Sequence, residues 1–198
     1  MNDRPRIGVL GGTFDPIHRA HLAIADAARH QAGLDRVLFV VSAVPPHKRN
    51  EVHAPAEDRL ALTRAAVTDI PGFEVCDIEL RRPGPSYTVD TLRELRTLYP
   101  EADLFLIMGY DAALDLPRWR EPRQILHLAR LLILPRPNET YPPLHPDVAS
   151  RAKVLAFRPM ALSSTEIREA LKRGETPRDA LPDAVLDLIR QKGLYGCR

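Results

Sequence analysis

The chain has few cysteines, little net charge and no long apolar run, and each shortage excludes a class of protein. Its two cysteines, Cys76 and Cys197, lie far apart and form no CxxC pair, which disfavours a disulfide scaffold or a zinc ribbon. The formal net charge of +2 provides no broad basic field, so general nucleic-acid binding is disfavoured. A membrane-spanning helix needs about twenty consecutive apolar residues, and no apolar segment of the chain approaches that length.

Length and composition instead predict one globular domain. The 198 residues are 44% hydrophobic, which is enough for a substantial core. We expect a single domain over residues 1–198, with a C-terminal helical part from about residue 159. The first apolar run, residues 7–10, is too short for a signal peptide, so we expect a cytoplasmic protein.

The most informative stretch is GGTFDPIHRAH, residues 11–21, directly after that apolar run. Two adjacent glycines let the backbone approach a bulky anion, and the following helix directs its free N–H groups at the same place. His18 and His21 share one face of its first turn. There is neither a GxxxxGK[ST] loop nor a GxGxxG fingerprint, so the site would be of another type. A plain strand-to-helix turn with two surface histidines is the alternative. Zinc is disfavoured because no third ligand is placed to complete HxxH.

Strand and helix patterns alternate along nearly the whole chain. Apolar runs predict strands over residues 7–10, 36–41, 73–80, 103–108, 131–134 and 153–157. Helical spacing predicts helices over residues 18–33, 56–70, 88–99, 164–173 and 182–192, a broken helical region around Pro117 and Pro122, and an irregular proline-rich segment over 135–146. This order predicts an α/β fold with a doubly wound, mostly parallel sheet and helices on both faces. Ligands of such sheets bind at the carboxyl ends of the strands.

A second anion-binding pattern opens the helix after residue 162. Ser163 and Glu166 fit the capping box S-x-x-E, which by itself is only helix-start chemistry. Three consecutive hydroxyl residues followed by Arg168 go beyond capping, because hydroxyls, free N–H groups and a guanidinium together can hold several phosphate oxygens.

The two patterns together resemble the nucleotidyltransferase superfamily with HxGH and [ST]xxxxR signatures, and more closely the bacterial nicotinate mononucleotide adenylyltransferases. Further motifs of that family occur in order: PPHK at residues 45–48, SYTVDTL at 86–92, GYD at 109–111 with Trp119 eight residues on, Arg-Pro at 136–137, and the closing segment 181–195. The chain departs from the family at Ala20, where glycine usually separates the histidines. Asn138 likewise replaces a glycine, and Arg120 stands where an aromatic residue is common.

The resemblance implies a Rossmann-like nucleotidyltransferase fold and adenylyl transfer from ATP to nicotinate mononucleotide. It also implies a role for each matching residue. The catalytic set is His18, His21, Lys48 and Arg168; the ATP-binding set is Gly11, Gly12, Thr13, Phe14, Gly109, Asp111, Ser163, Ser164 and Thr165; the mononucleotide-binding set is Ser86, Thr88, Trp119, Arg120 and Arg136. Mg²⁺ would bind mainly through the ATP phosphates, without a protein metal site. Assembly into a homo-oligomer stays open.

Two other functions remain open on the sequence alone. The first is another adenylyltransferase of the superfamily, acting on nicotinamide mononucleotide or pantetheine phosphate. The second is a module that senses a nucleotide without turnover. The histidines, Lys48 and Arg168 favour catalysis, because binding alone needs fewer phosphate donors.

Overall fold

A computed structural model of the chain describes residues 4–44, 52–135, 140–158 and 160–197. Its six strands are β1 Arg6–Gly12, β2 Arg36–Val41, β3 Phe73–Cys76, β4 Asp103–Gly109, β5 Arg130–Leu134 and β6 Ala152–Val154. Its α-helices are α1 Arg19–Ala32, α2 Ala56–Val67, α3 Thr88–Leu98, α4 Tyr110–Asp115, α5 Pro122–Leu128, α6 Pro146–Ala149, α7 Ser164–Lys172 and α8 Asp183–Lys192. Two 3₁₀ turns, Leu116–Arg118 and Leu194–Gly196, complete the described elements.

The strands form one parallel sheet in the order β3-β2-β1-β4-β5-β6. Side chains alternate between its faces, as the period of a strand requires. On one face Phe39 and Ile107 pack with α1, α2, α7 and α8. On the other face Leu38 and Leu106 pack with α3, α4 and α5. The predicted α/β fold with a doubly wound sheet is confirmed, and the sheet is entirely parallel.

The boundaries of several elements differ from the prediction. Helix α2 ends at Val67, three residues before the predicted end. The edge strands β3 and β6 are shorter than predicted, because each pairs on one side only and ends where that pairing stops. The predicted proline-rich segment ends at Pro146, where the short helix α6 begins; its N-cap His145 accepts a hydrogen bond from the backbone N–H of Asp147 at 3.3 Å. No helix in the described part of the chain is long and apolar enough to cross a bilayer.

Candidate active site

The candidate site lies where the order of the strands reverses. From β1 the chain first adds strands on one side, β2 and β3, and then crosses to β4 on the other side. Gly11 and Gly12 end β1, and Gly109 ends the adjacent strand β4. The carboxyl edge between these two strands is therefore the crevice in which open α/β sheets bind their ligands.

The two glycines at the end of β1 face different surroundings. A Cβ added to Gly11 would meet nothing within 4 Å, so the backbone there is open to an approaching group. A Cβ on Gly12 would lie 2.7 Å from the ring of Phe14. That ring is buried against Phe39 and meets the imidazole of His21 edge-on at 5.1 Å. The ring of Phe14 thus packs against His21, so only the backbone of Phe14 could contact ATP.

The histidines stack on each other at the start of α1. Their ring centroids are 3.8 Å apart, and the backbone N–H of His18, the N-cap, donates to Nδ1 of His21 at 3.2 Å. Because Nδ1 of neutral His21 accepts this bond, its proton lies on Nε2 and is available to a ligand. Ala20, which replaces the usual glycine of the family, is buried within the same turn.

Burial keeps both imidazoles neutral. It lowers the pKa of His18 to about 4. The pKa of His21 is lowered well below its usual value, first by burial and then by the charge of His18. At neutral pH the pair therefore offers neutral N–H donors rather than two fixed positive charges.

The start of α7 lies against the histidine turn. Arg168 is buried and donates to the backbone carbonyl of Asp15 at 2.8 Å, while Ser164 donates to that of Pro16 at 3.1 Å. Thr165 accepts from the guanidinium of Arg168 at 3.2 Å. The side chain of Ser163 caps the helix by accepting from the backbone N–H of Glu166. The two predicted halves of the site are thus joined, although they are far apart in sequence.

Three polar residues at this junction, the buried Asp15 and Arg59 and the half-buried Tyr195, make contacts that were not predicted from the sequence. Asp15 accepts from the hydroxyl of Tyr195 at 2.7 Å, and Arg59 donates to the carbonyl of Thr13 at 2.6 Å. A signal for Arg59 was available. It lies three, four and seven residues before Leu62, Thr63 and Ala66, so it belongs to the buried stripe of α2.

The described members of the predicted mononucleotide-binding set lie near the start of α3. Ser86 accepts from the backbone N–H groups of Ala43 and Val44, which joins this region to the end of β2. Thr88 begins α3. Arg120 places its guanidinium 4.8 Å from the ring centre of Tyr87. Trp119, beside it, is half-buried and packs on the core of the same face.

Of the other residues singled out in the sequence, some lie within the described part of the chain and others lie outside it. Gly109 and Asp111 lie at the end of β4 and in the first turn of α4, across from the glycine pair. Lys48, Arg136 and Asn138 lie outside the described residues. Within the described ranges no three His, Cys, Asp or Glu side chains cluster closely enough to hold a metal ion.

Fold and site together define a nucleotidyltransferase. The family model for cytidylyltransferase-like proteins matches residues 9–170. A Thermus thermophilus protein named probable nicotinate-nucleotide adenylyltransferase is 48% identical over 96% of this chain and 99% of its own. A protein of the same name from Roseiflexus is 44% identical over 98% of this chain and 100% of its own. The chain belongs to the cytidylyltransferase-like family and, within it, to the nicotinate-nucleotide adenylyltransferases.

Solved structures support the same fold. The nicotinic acid mononucleotide adenylyltransferase of Plasmodium falciparum, complexed with APC, superposes with a TM-score of 0.77 and 17% identity. The match covers 98% of this chain and 99% of the other. A Vibrio parahaemolyticus protein described as a putative nicotinate-nucleotide adenylyltransferase superposes with a TM-score of 0.71 and 20% identity, over 96% and 95% of the two chains.

Proposed function

We propose that this chain transfers the adenylyl group of ATP to nicotinate mononucleotide, giving nicotinate adenine dinucleotide and pyrophosphate in NAD biosynthesis. Relatives that match nearly its whole length carry this name. One feature of the site carries the proposal: Arg168 of α7 donates to the carbonyl of Asp15, three residues before His18. This contact places the start of α7 beside the histidine turn, which supports the proposal that both contact the phosphates of ATP. A cytoplasmic location is part of the proposal, because both substrates are soluble nucleotides.

In the proposed reaction a phosphate oxygen of the mononucleotide attacks the α-phosphorus of ATP. The bond from that phosphorus to the oxygen bridging it to the β-phosphate breaks, and its electron pair leaves with pyrophosphate. A phosphate monoester is largely ionised at neutral pH, so the attack needs neither a general base nor a protein nucleophile. The protein then contributes positioning and stabilisation of the charge on the transferring group.

The histidine turn would contact the transferring group. We assign to Nε2–H of His21 the hydrogen bond that strengthens in the transition state, with His18 as a second donor. Gly11, with open space beside its Cα, would let the backbone lie against the adenylate. Arg168, the α7 hydroxyls and the free N–H groups of that helix would hold the β- and γ-phosphates. Lys48 would bridge the charges of the two substrates.

The opposite side of the crevice would bind the mononucleotide. Trp119 would stack on the nicotinate ring, and backbone N–H groups near Thr88 would receive the carboxylate. Arg136 would bind the mononucleotide phosphate.

The end of β4 would contact ATP. Asp111 would accept from a ribose hydroxyl of ATP, and Gly109 would keep the end of β4 open to the substrates.

We propose that Mg²⁺ enters with ATP. The carboxylate of Asp15 accepts three hydrogen bonds from within the protein, so it offers a metal little free capacity. The described residues therefore suit an ion held by triphosphate oxygens and water, as is common for Mg²⁺. Such an ion would neutralise charge on the leaving pyrophosphate.

Pyrophosphate release tests the proposal. The purified protein is given ATP and Mg²⁺ with nicotinate mononucleotide, nicotinamide mononucleotide or pantetheine phosphate in separate reactions. We expect the highest kcat/KM with nicotinate mononucleotide and a dinucleotide product. A higher value with another acceptor would assign a different adenylyltransferase, and ATP binding without pyrophosphate release would indicate a nucleotide sensor.

A further inference from the structure

Arg59 is a buried cation that contacts backbone carbonyls on three different segments. Its side chain is 1% exposed on the inner face of α2. It donates to the carbonyl of Thr13 in the glycine turn at 2.6 Å, to that of Ser42 after β2 at 2.8 Å, and to that of Ala54 before α2 at 3.1 Å. Burying a guanidinium is costly unless its donors are satisfied, so a leucine would serve better here if packing alone were required.

Asp15 joins the same region from the other side of the turn. It is 3% exposed, and its carboxylate accepts from the backbone N–H groups of His53 at 2.7 Å and Ala54 at 3.2 Å. The hydroxyl of Tyr195 donates to it at 2.7 Å. Burial, followed by the bond to Asp15, raises the pKa of Tyr195, so this hydroxyl remains a donor at working pH.

Phe14 lies between Thr13, which accepts from Arg59, and Asp15, and its backbone is strained. Its φ is 48°, in the left-handed region that a bulky side chain rarely adopts. Such a conformation persists when the surrounding structure over-determines it, and here bonds to Thr13 and Asp15 fix both flanks. Because the ring of Phe14 meets His21 edge-on, the position of the turn sets the position of that imidazole.

We propose that Arg59 and Tyr195 are positioning residues for adenylyl transfer. They hold the Thr13–Asp15 turn in its strained form, and the turn orients His21 toward the transferring phosphate. Neither residue needs to contact a substrate. The inference rests on the proposed function and adds two residues to its machinery.

Arg59→Lys tests the inference, and Arg96→Lys is its matched control. Lysine keeps the charge but loses the planar fork that serves several carbonyls at once. Arg96 also donates to backbone carbonyls from a helix, those of Ala102 and Leu128, but these precede β4 and β5 at the opposite edge of the sheet. We expect Arg59→Lys to lower kcat about 10- to 100-fold with each KM within about threefold, since small misplacements of catalytic groups cost rates of this size. Arg96→Lys should lower Tm similarly and leave kcat near that of the wild type.

Tyr195→Phe provides a second test that removes only a hydroxyl. We expect about tenfold lower kcat with little change in Tm, whereas Tyr99→Phe, at the opposite edge of the sheet, should leave kcat unchanged. If the wild type is active and both Arg59→Lys and Tyr195→Phe are equally active, this inference is overturned while the proposed function stands. A lower Tm with an unchanged kcat in these variants would also overturn the inference, because that result would show a purely structural role. A wild type that releases no pyrophosphate with any acceptor would overturn the proposed function and this inference with it.

Discussion

The two sides of the crevice differ in how firmly the protein holds their side chains. On the side that we assign to ATP, called the ATP side below, Arg168 and Ser164 donate to the carbonyls of Asp15 and Pro16, and Arg168 is buried. On the side that we assign to the mononucleotide, called the mononucleotide side, Trp119 is half-buried, and the exposed Arg120 lies 3.8 Å from the carboxylate of Asp90. Exposed ion pairs of that kind hold a side chain only weakly.

This difference matches the chemical demands of the two sides. Charge develops on the transferring phosphoryl group and on the leaving pyrophosphate, where donors act best if they need not reorganise during the reaction. Recognition of a pyridine ring needs a surface that the ring can stack on, and some adjustment of that surface is tolerable. We therefore expect substitutions on the ATP side to lower kcat and those on the mononucleotide side to raise KM.

The largest effect is expected for His21→Ala. Loss of a single transition-state donor typically lowers kcat by about 10²- to 10³-fold. The protein should stay folded with a modestly lower Tm, because alanine loses the bond from the N–H of His18 and the contact with Phe14. His30→Ala, an exposed residue near the end of the same helix, is the control and should retain full turnover. Steady-state kinetics with thermal unfolding decides the matter, and near-normal turnover in His21→Ala would remove its assigned role.

The glycine pair should separate a substrate effect from a folding effect. In Gly11→Ala the new methyl group meets no protein atom, so we expect an unchanged Tm but about 10- to 100-fold lower kcat/KM for ATP, the size of a typical steric conflict. In Gly12→Ala the methyl group meets the ring of Phe14, so Tm should fall as well. Equal ATP kinetics in Gly11→Ala and the wild type would show that the adenylate does not lie against this turn.

On the mononucleotide side, Trp119→Ala should raise KM for nicotinate mononucleotide about tenfold, as expected for the loss of one stacked aromatic contact. The KM for ATP should stay within about twofold. Trp119→Phe keeps an aromatic face and should recover most of the affinity. If only the KM for ATP changed, the contrast between the two sides would fail, because Trp119 would then contribute to ATP binding.

Much of the fold could be predicted because the central strands are buried on both faces. Residues 37–41 of β2 and 104–108 of β4 are all buried, and such strands appear as continuous apolar runs. The edge strands gave less signal. In β6 only Ala152–Val154 pair with β5, and directly beyond them Leu155 donates to the carbonyl of Ile133 at 2.9 Å.

The site was predictable where a short motif carries the chemistry. The glycine pair, the histidines and the helix start at Ser163 each form a local pattern. Arg59 and Tyr195 form no such motif. The position of Arg59 in the buried stripe of α2 indicates that it faces the core, but not which groups it contacts. The partners of both residues are backbone carbonyls and a carboxylate that are distant in sequence.

The last prediction concerns the dependence of stability, rather than of turnover, on pH. Burial lowers the pKa of His18 to about 4 from an ordinary value of 6.5, so between these two values the unfolded chain binds more protons than the folded one. The free energy of unfolding therefore falls as the pH drops through this window and is fully retained above it, and His18 alone accounts for at most about 3 kcal/mol. His21, whose pKa is also lowered, acts in the same direction. Urea unfolding at pH 5 and pH 7 should show a smaller difference for His18→Gln than for the wild type, while between pH 7 and pH 8 the two proteins should respond alike. If His18→Gln keeps the wild-type difference, the pKa of His18 is not lowered in the folded protein, and this side of the crevice would gain positive charge as the pH falls below about 6.5.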